Sequence, residues 1–188
     1  MQLTRRYILL VLFFFVLPLM ASRSHLPDEN KKFPKPTGIK NMLFYIQRSM
    51  NTNTIIYELN ISENGILNAE EPIKYYYINY ANHGEIEPVS DIQKKYAYGI
   101  KIKLTNKEKQ SYTFSFNSIK HREFYLIQST TDKKFHAFCH INKELAVLNN
   151  VFIDMENNFI GFPSVYKIEL FGKKVVNNVD ISETFKPE

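Results

Sequence analysis

The sequence predicts a mostly β domain of about nine short strands, with one short inserted helix near residues 88–96. Three observations carry that expectation. Tyr, Phe, Ile and Val recur in short runs in a chain that holds 12 Tyr, 15 Phe and no Trp, and these residues suit a pleated, half-buried surface. Several runs alternate strictly between apolar and polar residues, the period-2 pattern of a strand with one buried face. Turn residues punctuate the runs at short intervals, with no break long enough to divide the domain.

The first 40 residues stand apart. Met1–Arg6 is short and basic, Tyr7–Leu19 is apolar apart from Pro18, and small residues follow at Ala21, Ser22 and Ser24. This is the layout of a secretory signal peptide, expected over residues 1–21. The apolar stretch is shorter than the ~20 residues that a helix needs to cross a bilayer, so no transmembrane span is expected in the mature chain. Residues 22–40 carry Pro27, Pro34 and Pro36 among charged and amide residues and read as an extended linker. The domain is then expected over residues 41–188. The localisation that follows is export, to the periplasm or beyond.

The strands are taken in order. Met42, Phe44, Ile46 and Arg48 share one face of the first strand, and a polar crossing leads to Ile55-Ile56-Tyr57, forming a β-hairpin. Ser62-Glu63-Asn64-Gly65 is a turn. Ile73–Tyr80 contains the triplet Tyr75-Tyr76-Tyr77 and ends at Asn82-His83-Gly84. In Glu87–Tyr96, Val89, Ile92 and Tyr96 recur at helical spacing, with Pro88 suited to the first helical position and Lys94-Lys95 to the last turn. Tyr98, Ile100, Ile102 and Leu104 then alternate with Gly99, Lys101 and Lys103, as Tyr112, Phe114 and Phe116 do with Ser111, Thr113 and Ser115. Phe124–Ser129, Phe135–Ile141, Leu145–Ile153 and Val165–Phe171 complete the set, with Asn142-Lys143 as a two-residue hairpin turn in which Lys replaces the usual Gly. Local connections between short strands argue an antiparallel, calycin-like β-barrel or a sandwich. A closed barrel is preferred because it removes exposed edges.

The formal charge of +5 includes Arg5 and Arg6 in the signal segment. Without them 22 basic residues face 19 acidic ones, interspersed along the strands, and no basic stripe of the kind nucleic acid requires is apparent. His136 and His140 would stand about 13 Å apart on one strand face, too far to share an ion. Asp154-Met155-Glu156-Asn157-Asn158 lacks the glycine and closing Glu of a calcium loop and reads as a turn. Cys139 is the only cysteine, on the apolar strand face with Phe135, Ala137 and Ile141, and is expected to be buried and inert. With no nucleophile elbow, zinc motif or phosphate loop, no metal, cofactor or catalytic residue is predicted.

A candidate ligand-binding set remains around the first hairpin: Arg48, Asn51, Asn53 and Tyr57, with Gln47 beside them, and Lys95 and Tyr98 from the segment that faces it. Arg48 ends an apolar face, so its guanidinium must meet either a carboxylate of the chain, such as Glu58, Glu87 or Glu183, or an anionic or sugar ligand.

The stretches Leu43-Phe44-Tyr45-Ile46-Gln47-Arg48-Ser49 and Asn53–Asn60, then Gln93-x-x-x-Ala97-Tyr98-Gly99, Val165-Tyr166-x-Ile168-Glu169-Leu170-x-Gly172 and Glu183-x-x-x-Pro187, resemble an uncharacterised family of exported proteins from Bacteroidetes, domain of unknown function 4833. Tyr77 stands where that family usually has Trp. The resemblance implies no activity. The function expected is non-enzymatic binding of an apolar or amphiphilic ligand, or of an envelope component, in a barrel mouth. The alternative is a hydrolase or lyase acting on an envelope polymer through the polar set around Arg48.

Overall fold

The computed structural model describes residues 33–157 and 163–187. The expected signal peptide, the linker up to residue 32 and Asn158 lie outside the described residues. Among those described, no helix is long and apolar enough to cross a membrane.

The domain is mostly β, as expected, and its sheet curls into a half-barrel. The strands are β1 (Met42–Arg48), β2 (Asn51–Leu59), β3 (Ile73–Asn79), β4 (Glu85–Pro88), β5 (Ile100–Asn106), β6 (Ser111–Phe116), β7 (Phe124–Gln128), β8 (Phe135–Ile141), β9 (Glu144–Asn157), β10 (Pro163–Lys174) and β11 (Asp180–Phe185). They lie in the order β4-β3-β2-β1-β9-β8-β7-β6-β5, with β10 on the other side of β9 and β11 beyond it. The nine expected strands are present. Two more, β4 and β11, escaped the sequence reading because Glu85-Ile86-Glu87-Pro88 is too short and too acidic to signal a strand, and Asp180–Phe185 is nowhere buried enough to show a clean apolar face.

The sheet is mixed where an antiparallel one was expected. β9 is long enough to serve two partners in succession on one side. It pairs antiparallel with β8 through Glu144–Val147 and parallel with β1 through Asn150–Ile153. A parallel pair needs a long crossover, and here everything from β2 to β8 supplies it. Two irregularities in the β9–β10 ladder, at Val165/Lys167 and Phe171/Gly172, bend the strands as bulges do. The second requires its glycine: a Cβ on Gly172 would stand 2.5 Å from the carbonyl oxygen of Val147.

The inside of the half-barrel is packed with aromatic rings. Phe44 stacks on Tyr57 at 4.5 Å between centroids, Phe114 on Phe124 at 5.3 Å, and Phe116 meets Phe124 edge-on at 5.1 Å. All five are at most 2% exposed. Complete burial of one such side chain stabilises by about 1.5–3 kcal/mol, and offset or edge-on ring pairs add about 0.5–1.5. Cys139 lies in the same core at 0% exposure, and burial pushes its thiol up to about 12.

Several local expectations are corrected. Pro88 ends β4, opposite Tyr76, an edge position that tolerates its missing N–H. The helix starts later, capped by Ser90, whose hydroxyl accepts from Gln93 N–H in a capping box. It makes one α-helical turn, α1 (Asp91–Gln93), and widens into a π-helical turn over Lys94–Tyr98. Val89 precedes the cap and is buried outside the helix, Ile92 on the α turn and Tyr96 on the π turn face solvent, and the widened turn brings Tyr98 inward. Tyr98 therefore belongs to this turn and not to β5. Asp154, Met155 and Glu156 continue β9 and do not form a turn, and Asp154 lies 3.9 Å from the ammonium of Lys167. The Asn142-Lys143 turn is as expected, with both residues at positive φ.

Only residues 33–40 of the expected linker are described, and they make contacts with the sheet. Phe33 meets Phe152 edge-on, Pro36 is buried, and Gln47 Nε2 donates to the carbonyl of Pro34 at 2.7 Å.

Candidate functional site

The helical insertion carries the chain from one sheet edge, β4, to the other, β5, and places Tyr98 against the first hairpin. In the π turn Gly99 N–H donates to the carbonyl of Lys94 at 3.1 Å, and Asn117 Nδ2 donates to the same oxygen at 2.8 Å. Gly99 is required, because a Cβ there would lie 2.1 Å from that oxygen. Such turns are rare and occur disproportionately at functional sites.

Arg48 sits at the end of β1 under this turn, half-buried. Its Nη1 donates to the Tyr98 hydroxyl at 3.0 Å and its Nη2 to Asn51 Oδ1 at 3.2 Å. The guanidinium carbon lies 5.4 Å from the ring centres of both Tyr77 and Tyr98, within range of a cation–π attraction. Asn51 Oδ1 also accepts the backbone N–H of Asn53, which holds the start of β2 in place.

None of the three carboxylates considered as partners reaches Arg48. Glu58 accepts from the Tyr76 hydroxyl and pairs with Lys74. Glu87 accepts from Asn79 Nδ2 at 2.7 Å. Glu183 holds Arg122. Among the described residues the charge of Arg48 thus meets only neutral partners. Three buried polar atoms, Arg48 Nε, Asn53 Oδ1 and the Tyr77 hydroxyl, find no hydrogen-bond partner among the described residues. They lie at one end of one face: Asn53 shares its side of β2 with Ile55 and Tyr57, Tyr77 stands directly across from Ile55, and Arg48 touches Tyr77. An unsatisfied buried polar atom costs about 1–3 kcal/mol, so three together in one small region call for an explanation.

Of the expected set, the structure brings together Arg48, Asn51, Asn53 and Tyr98. Tyr57 lies deeper; it is fully buried and its hydroxyl donates to the carbonyl of Tyr98 at 2.6 Å. Burial pushes that hydroxyl well above its usual range, with Tyr75 and the other nearby tyrosines adding to the rise. Lys95 is exposed, with its ammonium over the ring of Tyr96. The sequence reading missed Tyr77, which stood out only as part of an aromatic triplet. Burial drives its hydroxyl up to about 12 despite the opposing charge of Arg48, so it stays protonated at neutral pH. The alternation of Ile73, Tyr75 and Tyr77 could have placed it on the inner face.

A curled β sheet with a packed aromatic interior and an arginine–tyrosine cluster at one end defines a small β domain with a filled core. The chain belongs to the family described as domain of unknown function DUF4833, whose model matches residues 44–184 and so covers the whole site. No match was found among curated protein sequences or among solved structures.

Proposed function

We propose that this is an exported envelope protein that binds an anionic group of an envelope component at the Arg48 end of the half-barrel, without performing chemistry on it. The observation that carries the reading is a half-buried guanidinium that meets only neutral partners among the described residues and leaves its own Nε unsatisfied, beside the unsatisfied Asn53 Oδ1 and Tyr77 hydroxyl. Arginine offers a planar fork that matches a carboxylate or phosphate in two places. The packed ring cluster supports a ligand held at the mouth over an apolar ligand held inside. The basic and apolar regions from Arg5 to Leu19 support export.

The alternative, a hydrolase or lyase using a carboxylate or tyrosine near Arg48, is less well supported. Tyr77 is held near 12, and Glu87, across the ladder from it, is engaged by Asn79.

Titration of the mature chain with carboxylate-bearing, phosphate-bearing and neutral envelope fragments, followed by NMR, tests the binding. Saturable shifts at Arg48 and Tyr98 with one anionic class, lost in Arg48→Met, are expected. Binding that survives unchanged in Arg48→Met, or no binding by any fragment, overturns the proposal. Amino-terminal sequencing of protein from the native host tests export: a chain still beginning at Met1 in the cytosol is the contrary result.

A further inference from the structure

Lys143 occupies a backbone position that ordinarily goes to glycine. In the two-residue turn between β8 and β9, Asn142 has φ 49° and Lys143 φ 69°, the pair of positive angles that this kind of hairpin demands. Residues held in such conformations concentrate at functional sites. Lys143 lines an open concavity of about 610 Å³, with Lys120, Arg122, Tyr125 and His140 around it.

The floor of this cleft is firmly built. Glu183 takes both terminal nitrogens of Arg122, at 2.6 and 3.1 Å, and a third bond from Asn142 N–H at 2.9 Å. Arg122 also donates to the carbonyl of His140 at 3.1 Å, and its guanidinium lies 4.5 Å over the ring of Phe185. Arg122 is therefore neutralised within the fold. Lys120 and Lys143 form no ion pair among the described residues, and both face the same concavity.

We propose that this cleft binds an acidic saccharide chain, with Lys120 and Lys143 receiving carboxylates spaced along it and Tyr125 and His140 offering ring surface to the sugars. Glu123 and Glu183 line the same cleft, so its formal charge is small. A phosphate-dense polymer selects a uniformly basic stripe. A polyhydroxylated chain with intermittent carboxylates matches cations mixed with acceptors and aromatic rings. The open shape suits a length of polymer lying across the surface. This site is separate from the Arg48 mouth. Lys143 precedes the first residue of β9, whereas Arg48 is registered with Ile153, roughly 30 Å further along the strand.

Calorimetric titration of the full chain with a hexagalacturonate tests the proposal, alongside a neutral hexasaccharide, inorganic phosphate and a single-stranded oligonucleotide. Saturable binding of the uronate alone is expected, weakened about tenfold or more in Lys120→Ala and in Lys143→Gly. Lys143→Gly removes a strained side chain from the turn, so it should melt no lower than the parent, and its lost affinity then reports the missing ammonium. No uronate binding, equal binding of the neutral sugar, competition by equimolar phosphate, tighter binding of the oligonucleotide, or full affinity in Lys143→Gly would each overturn it.

Discussion

Arg48 is the residue on which the energetic argument turns. Truncating one partner of a buried ion pair costs about 3–5 kcal/mol, because the other charge is left alone. Arg48 has no carboxylate partner among the described residues, so Arg48→Met strands no charge. It loses hydrogen bonds to Tyr98 and Asn51 but also removes the unsatisfied Nε. The expected loss is about 1–2 kcal/mol, measurable by urea unfolding; a loss of about 4 or more on the same scale would reveal a hidden internal partner. Cys139 is the opposite case, a residue whose environment already accounts for it. It pairs across the sheet with Phe124 and Ala146, and its thiol is pushed up to about 12 by burial. Native protein should resist a thiol reagent until it unfolds. Cys139→Ser should cost about 1–3 kcal/mol by burying an unpaired hydroxyl.

At the scale of elements, the π turn is what converts sequence into site. An α-helix over 88–96 would have buried Val89, Ile92 and Tyr96 together; instead the helix starts only after Ser90, Ile92 and Tyr96 are exposed, and the wider turn delivers Tyr98 inward. Gly99→Ala tests this directly. The added methyl would stand 2.1 Å from the Lys94 carbonyl oxygen, backbone that cannot swing aside, so the turn must open. A destabilisation of about 2–3 kcal/mol is expected, together with loss of the Tyr98 contact to Arg48, visible as a changed Tyr98 ring spectrum by NMR. Native stability and an unchanged ring spectrum in the Gly99→Ala protein would show that the turn does not depend on this close approach.

At the scale of the whole molecule, β11 touches the half-barrel through β10 and through the ion pair of Glu183 with Arg122. Hydrogen bonding to Arg122, opposed by desolvation and helped by Asn142 N–H, holds the Glu183 carboxyl below its usual 4.5. A depressed folded value means that the carboxylate form stabilises the fold. That contribution is complete above the unfolded value near 4.5 and fades as the pH falls through the lower folded value. Acid unfolding should therefore be steeper in the parent than in Glu183→Gln, with the two curves converging at the acid end. Both side chains are about a fifth exposed, so the difference at neutral pH should be about 1–2 kcal/mol, less than for a fully buried pair. Parallel stability curves from about pH 7 down to acid would remove Glu183 from this role.

What the sequence determined on its own was local. Runs of β-branched and aromatic residues between turns marked nine strands, and several showed the period-2 alternation that follows when the polarity of each side chain is set by which side of the pleat it occupies. Turn chemistry marked Asn142-Lys143, and the apolar neighbours of Cys139 marked its burial. Arg48 was recognisable as a charge ending an apolar face, and Asn51, Asn53 and Tyr98 as its neighbourhood. Only the tertiary structure decided which partners Arg48 meets, since Glu58, Glu87 and Glu183 are all within plausible reach by sequence and all engaged elsewhere in space. It also decided the parallel β1–β9 pair and the cleft that joins Lys120 to Lys143. Both depend on contacts between residues far apart in the chain, and the free energy of such contacts leaves no periodic trace in the residues that make them.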